Sequence, residues 1–105
     1  MIKIAIIGGG ASGLFSAITA LSSGKDISVT IFERLNRVGK KILATGNGRC
    51  NITNENACNL NKNMPVYYHG QSPEFASFAL KSFNKNDLIK YLNENGIILR
   101  KENDK

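Results

Sequence analysis

Lys3-Ile4-Ala5-Ile6-Ile7-Gly8-Gly9-Gly10-Ala11-Ser12-Gly13-Leu14 decides the fold. A short apolar run passes directly into Gly-x-Gly-x-x-Gly, and a helical pattern begins at once. Each glycine of the motif has its own task. Gly8 lets the chain turn sharply off a strand. Gly10 has no Cβ, so backbone can approach a pyrophosphate. Gly13 lets the helix lie close on the strand. The helix would open with free N–H groups and Ala11 and Ser12 in its first turn, its positive dipole end facing phosphate.

The motif gains weight from what surrounds it. It follows a strand pattern, opens a helix, and has an acidic residue where the fold would place one. That residue is Glu33, at the end of Ile27-Ser28-Val29-Thr30-Ile31-Phe32 and 20 residues beyond Gly13. A carboxylate at the tip of a second strand can accept hydrogen bonds from both ribose hydroxyls of an adenosine. It would repel a 2′-phosphate, so the ligand expected here is NAD- or FAD-like. The competing reading is a tight βα turn beside an incidental surface glutamate.

The 105 residues suffice for one small domain, and are few for a complete dinucleotide enzyme. The net charge of +6 favours an anionic partner such as a nucleotide. No basic stripe interleaved with aromatics points to nucleic acid. Cys50 and Cys58 match no metal-binding or C-x-x-C spacing, and the bland reading is a reduced cytosolic chain. The first apolar run is too short for a signal peptide or a membrane span. A cytoplasmic protein is therefore expected.

The pattern predicts a buried parallel strand over Ile2 to Ile7 and a helix over Ser12 to Ser23. Leu14, Ile18 and Leu21, with Phe15 beside them, would cover the sheet, and Gly24 would stop the helix. Ile27 to Phe32 completes a Rossmann-like βαβ unit. Residues 34–54 hold three glycines and five basic residues, with a short helical turn expected near Lys40 to Ala44. This basic, glycine-rich loop is placed to pass the phosphates of an extended dinucleotide. Residues 54–70 read as an irregular excursion. It carries His69, the only histidine, which is read as a surface residue because no carboxylate lies near it in sequence.

Ser72-Pro73-Glu74 reads as a helix start, with Phe75, Phe78, Ala79, Ser82 and Phe83 on a core-facing stripe. Asn86-Asp87 reads as the cap of a second helix carrying Leu88, Tyr91 and Leu92, stopped by Gly96. Ile97 to Leu99 reads as a strand, and Glu102-Asn103-Asp104 as the turn after it. A strand left without a return strand implies the N-terminal piece of a longer protein.

Gly39-Lys40-Lys41-Ile42-Leu43-Ala44-Thr45-Gly46-Asn47-Gly48-Arg49-Cys50-Asn51-Ile52-Thr53-Asn54, following the glycine motif and Glu33, resembles the BaiN-like bacterial flavoproteins. These are also labelled aminoacetone oxidase-family or NAD(P)/FAD-dependent oxidoreductases. Ala79 to Phe83, Asp87 to Ile89 and Asn95 to Ile97 resemble them too. The resemblance implies a fold of the two-dinucleotide-binding-domain type with FAD extended across it. The pyrophosphate would lie at Gly8 to Gly13 and the adenosine ribose at Glu33, with Arg34 along the adenosine. Lys40 and Lys41 would lie near the diphosphate and ribityl. Gly46, Asn47, Gly48, Arg49 and Asn51 would lie near the flavin ring.

The expected function is the FAD-binding part of an oxidoreductase linked to NAD(P)H and acting on a small organic substrate. The fragment by itself is expected to be inactive. Arg49 and Lys41 are candidates to stabilise a reduced, anionic flavin, and no catalytic residue is assigned. A disulfide reductase would need two close cysteines, whereas Cys50 stands alone and reads as a small buried packing residue. The alternatives are a tRNA-modifying or other nucleic-acid-linked flavoprotein, and a non-catalytic dinucleotide-binding module.

Overall fold

A computed structural model of the chain describes residues 1–45, 50–55 and 67–101. It divides into two compact units, residues 1–51 and 52–105.

The first unit is the βαβ motif. Strand β1 (Ile2–Ile7) leads through the glycine bend into helix α1 (Ala11–Leu21), and strand β2 (Ile27–Phe32) follows. The two strands pair in parallel, from Ile2 opposite Ile27 to Ile7 opposite Phe32. The N-terminal ammonium reaches Asp26 at 3.0 Å, next to the start of this ladder. Helix α2 (Lys40–Ala44) occupies the place expected for a helical turn.

Helix α1 packs on both strands, but not through the predicted stripe. Ile18 and Leu21 are exposed, and Leu14 and Phe15 are half-buried. The buried positions are Gly13 and Ala17, with Ala20 half-buried behind them. These lie at i, i+4 and i+7, one face of a helix. Close approach at Gly13 explains the change, because a helix held near the sheet has room for only small side chains on its facing ridge. Gly24, at φ +70°, follows the helix as expected.

The sheet is also covered on one face only. Ile4, Ile6, Ile27, Val29 and Ile31 are half-buried beside α1, and the alternate residues are exposed. Ile7 is 84% and Phe32 55% exposed on the far face. The expectation of a buried strand over Ile2 to Ile7 is thus not met among the described residues, since Ile2, Lys3, Ala5 and Ile7 are exposed. A two-stranded sheet with one helical layer has nothing to place over the second face.

The second unit holds a 3₁₀ turn (Pro73–Ala76), helix α3 (Ser77–Ser82) and helix α4 (Lys85–Glu94). Two sequence expectations change here. Ser72 makes no side-chain cap, and Phe75 and Phe78 are 90% and 83% exposed. The 3₁₀ turn breaks the 3.6-residue stripe, and Ala76 and Leu80 turn inward instead. The cap of α4 is Asn84, two residues before the expected pair. Its Oδ1 accepts from the Asn86 and Asp87 amides at 2.8 and 3.2 Å. Asp87 Oδ2 in turn accepts from the Asn84 amide at 2.9 Å, which completes a capping box.

Gly96 does stop α4. At φ +77° it donates to the Asn93 carbonyl, and Ile97 N–H donates to the Leu92 carbonyl. This is the Schellman arrangement. It turns the chain back over the helix end, and no strand forms over the expected residues Ile97 to Leu99. Lys101 pairs with Glu55 at 2.6 Å within the same unit. The excursion expected over 54–70 lies largely outside the described residues, as does the turn expected over 102–104.

Two substitutions check this packing. Gly13→Ala would drive a methyl group into the Gly8 carbonyl oxygen and should destabilise the first unit by about 1–3 kcal/mol or more. An unchanged urea midpoint would show that α1 does not lie this close. Asn84→Ala should cost the second unit about 1 kcal/mol, with faster hydrogen exchange at the Asn86 and Asp87 amides. Unchanged exchange there would remove the capping box.

Candidate functional site

The site grows from the bend between β1 and α1. Gly8 has φ +97°, a value that L side chains rarely adopt. Its amide extends the sheet by donating to the Phe32 carbonyl at 2.8 Å. Gly13 then folds back so tightly that any Cβ there would strike Gly8 O. At Gly10 the opposite holds, for a Cβ would meet nothing within 4 Å. The backbone is therefore crowded on the sheet side of the bend and open at the helix start. No side chain caps α1, and its N-cap is Gly10. Its first turn keeps the arrangement that suits an anion.

Glu33 stands one residue past β2 and points into this bend. Its Oε2 accepts from the Gly9 amide at 2.7 Å, and its Oε1 accepts from the Leu35 amide at 2.7 Å. The Leu35 and Gly9 hydrogen bonds hold the carboxyl below its ordinary pKa. Partial burial opposes them, and Arg34 adds to the lowering. Each oxygen retains a further lone pair, so the carboxylate can still accept from ribose hydroxyls.

Beyond Glu33 the chain bends back over the glycines. Gly39 N–H donates to the Gly9 carbonyl at 2.7 Å, and Val38 packs where a Gly9 side chain would lie. Gly39, at φ +70°, begins α2. A cavity of about 250 Å3 opens here, lined by Gly10, Glu33, Arg34, Arg37, Lys40 and Lys41. One carboxylate and four cations thus surround the open backbone of the helix start. Lys40 is steadied by Asn36 Oδ1 at 3.4 Å.

Of the residues singled out from sequence, Gly10, Glu33, Arg34, Lys40 and Lys41 line this one cavity, and Gly8 and Gly13 shape the bend beside it. Ala11 and Ser12 are exposed at the start of α1. Asn51 is exposed and does not line the cavity. Gly46, Asn47, Gly48 and Arg49 lie outside the described residues, and so does Cys58. Sequence reasoning passed over Arg37, which completes the ring of cations. Its spacing of three residues from both Arg34 and Lys40 was the available signal. Cys50 is exposed rather than buried, in a stretch without regular secondary structure over residues 50–54. His69 is exposed. Among the described residues no cluster of His, Cys, Asp or Glu could hold a metal ion, and no helix is long and apolar enough to cross a membrane.

A parallel βαβ unit with this bend and a carboxylate at the tip of β2 is a Rossmann-type nucleotide-binding unit. Residues 2–105 match the HI0933-like protein Rossmann domain, and the chain belongs to that family. It is 45% identical over 103 residues to a 3-dehydro-bile acid delta(4,6)-reductase of Clostridium scindens, covering 95% of this chain and 23% of that protein. It is 40% identical over 92 residues to a ribosomal RNA dihydrouridine synthase of Haemophilus influenzae, covering 88% of this chain and 21% of that one. The Escherichia coli protein of the same name is 37% identical over the same share of each. The chain thus spans less than a quarter of the length of these relatives. No solved structure matches it.

The carboxyl of Glu33 binds its proton less readily in the folded chain than in the unfolded one. Its contribution to stability is therefore complete above the ordinary carboxylate range and is lost as pH falls through its lowered value. Glu55, held down by the hydrogen bond and charge of Lys101, acts in the same direction in the second unit. Stability of the first unit should fall on acidification below the ordinary carboxylate range, and less steeply in Glu33→Gln. Equal acid sensitivity of the two proteins would show that Glu33 contributes nothing to it.

Proposed function

We propose that this chain is the N-terminal part of an FAD-binding domain of a flavin-dependent oxidoreductase, in a fold of the two-dinucleotide-binding-domain type. The reading rests on one observation above all: the Glu33 carboxylate stands directly beside the open, uncapped start of α1. Phosphate needs backbone N–H groups and positive charge, and an adenosine ribose needs a carboxylate. The cavity brings both together within about 250 Å3. Open space at Gly10 leaves room for the pyrophosphate against the backbone. Arg34, Arg37, Lys40 and Lys41 supply charge for it, and Glu33 takes the ribose.

Flavin, when bound, supplies the hydride chemistry. The residues of this chain bind and orient the adenosine diphosphate end. Lys41, Arg49 and the segment from Gly46 to Asn51 are the candidates to reach toward the flavin ring. NAD(P)H is the proposed electron donor. The proposed acceptor is a small organic compound with a reducible carbon–carbon double bond, a reading supported by the relative named as a delta(4,6)-reductase of a 3-dehydro-bile acid.

A second reading has a specific observation behind it. Two relatives are named for ribosomal RNA, and the exposed cations around the cavity would also suit a nucleic-acid backbone. The substrate would then be a base within RNA, with the same cofactor.

Purified protein of the length of its relatives should be yellow, and NAD(P)H should bleach its flavin absorbance. A colourless protein that binds adenine nucleotides would sink the enzyme reading and leave a binding module. Retention on ribosomal RNA that falls steeply with salt would move the substrate to RNA, and indifference to RNA would keep it a small molecule.

A further inference from the structure

Both polar backbone groups of Gly9 are occupied. Its N–H donates to Glu33 Oε2 at 2.7 Å, and its carbonyl accepts from Gly39 N–H at 2.7 Å. Gly9 is buried, and a Cβ there would meet Val38 and the Glu33 carboxylate. The middle of the bend is thus held from the far side of β2. Glu33 Oε1 meanwhile holds the Leu35 amide at 2.7 Å, so one side chain ties the bend to the first residues of the following loop.

This arrangement has a physical purpose. Gly8, Gly9 and Gly10 are three consecutive residues with unusual backbone freedom, and ordering them costs conformational entropy. A bend left loose would incur that cost each time a phosphate bound. A carboxylate suits the task of holding it, because it accepts two N–H groups at once in charge-assisted hydrogen bonds.

We propose that Glu33 is a positioning residue for the phosphate-binding bend. Its carboxylate holds Gly9, and with it the turn from Gly8 to Gly13, against residues 35–39 whether or not a nucleotide is present. The role is additional to any ribose contact, and it rests on the reading of this bend as a phosphate site. Arg34 is the charge that bears most directly on Glu33, and Arg37, Lys40 and Lys41 also line its cavity.

The test compares ADP with 2′,3′-dideoxy-ADP, which lacks the ribose hydroxyls, by titration calorimetry on the protein and on Glu33→Gln. The glutamine would turn an amide NH2 toward one of the two backbone donors and so lose one bond. A residue that only held ribose would leave dideoxy-ADP binding untouched. A positioning residue should lower dideoxy-ADP affinity about tenfold, the worth of one charge-assisted bond, and ADP affinity at least as much. Equal dideoxy-ADP affinity in the two proteins would overturn the proposal.

A second measurement needs no nucleotide and no variant. In nitrogen-15 NMR of the unliganded protein, the Gly9 and Leu35 amide resonances should shift together with a single carboxyl titration. A Gly9 amide that does not follow that titration would also overturn the proposal. If neither nucleotide binds the unsubstituted protein, the phosphate-site reading fails, and the Gly9 titration alone then decides whether Glu33 holds the bend.

Discussion

The first unit depends on the contact between Gly13 and the Gly8 carbonyl. Nothing larger than hydrogen fits between them. That contact sets the distance of α1 from the sheet, and the distance sets which helix residues can face it. Gly13, Ala17 and Ala20 occupy the facing ridge because they are small, and the larger Ile18 and Leu21 are displaced to the exposed side. The same contact fixes the start of α1 beside the end of β1, where Glu33, just past β2, reaches the Gly9 amide. Packing and site geometry thus have a common origin in one missing Cβ.

Around that contact the site is assembled mainly by backbone. Gly8 N–H continues the ladder to Phe32, Gly39 N–H holds the Gly9 carbonyl, and Glu33 gathers the Gly9 and Leu35 amides. Apart from the local bond to Leu35, two residues on, these bonds join segments that the chain places 24 to 30 residues apart. The four cations on the cavity wall come from a single run, Arg34 to Lys41, because the loop and the start of α2 curve back over the bend. A site formed this way presents charge and open backbone together, which is what a nucleoside diphosphate requires.

The second unit follows a different logic. Its helices are fixed by their ends, by the Asn84 and Asp87 capping box at one end of α4 and the Gly96 turn at the other. Two of its aromatic residues, Phe75 and Phe78, face outward, while Tyr68 and Tyr91 are half-buried. The exposed Ile7 and Phe32 make the same point for the first unit. In each, local hydrogen bonding defines the element, while the burial that its apolar residues suggest is incomplete.

Local chemistry was legible in the sequence. The strands at Ile2 to Ile7 and Ile27 to Phe32, the glycine bend, the helical turn at Lys40 and the stop at Gly96 all follow from propensities and backbone freedom acting within a few residues. Glu33 was legible from spacing, because a βαβ unit has a nearly constant length. Which face of α1 is buried, which asparagine caps α4, and whether Ile97 to Leu99 become a strand were not. Each depends on how closely two backbones approach or on which competing hydrogen bond prevails, and only the folded chain compares those alternatives. The hold of Glu33 on Gly9 belongs with them: spacing brings a carboxylate to the tip of β2, but its direction is decided by an amide that folding delivers from the other strand.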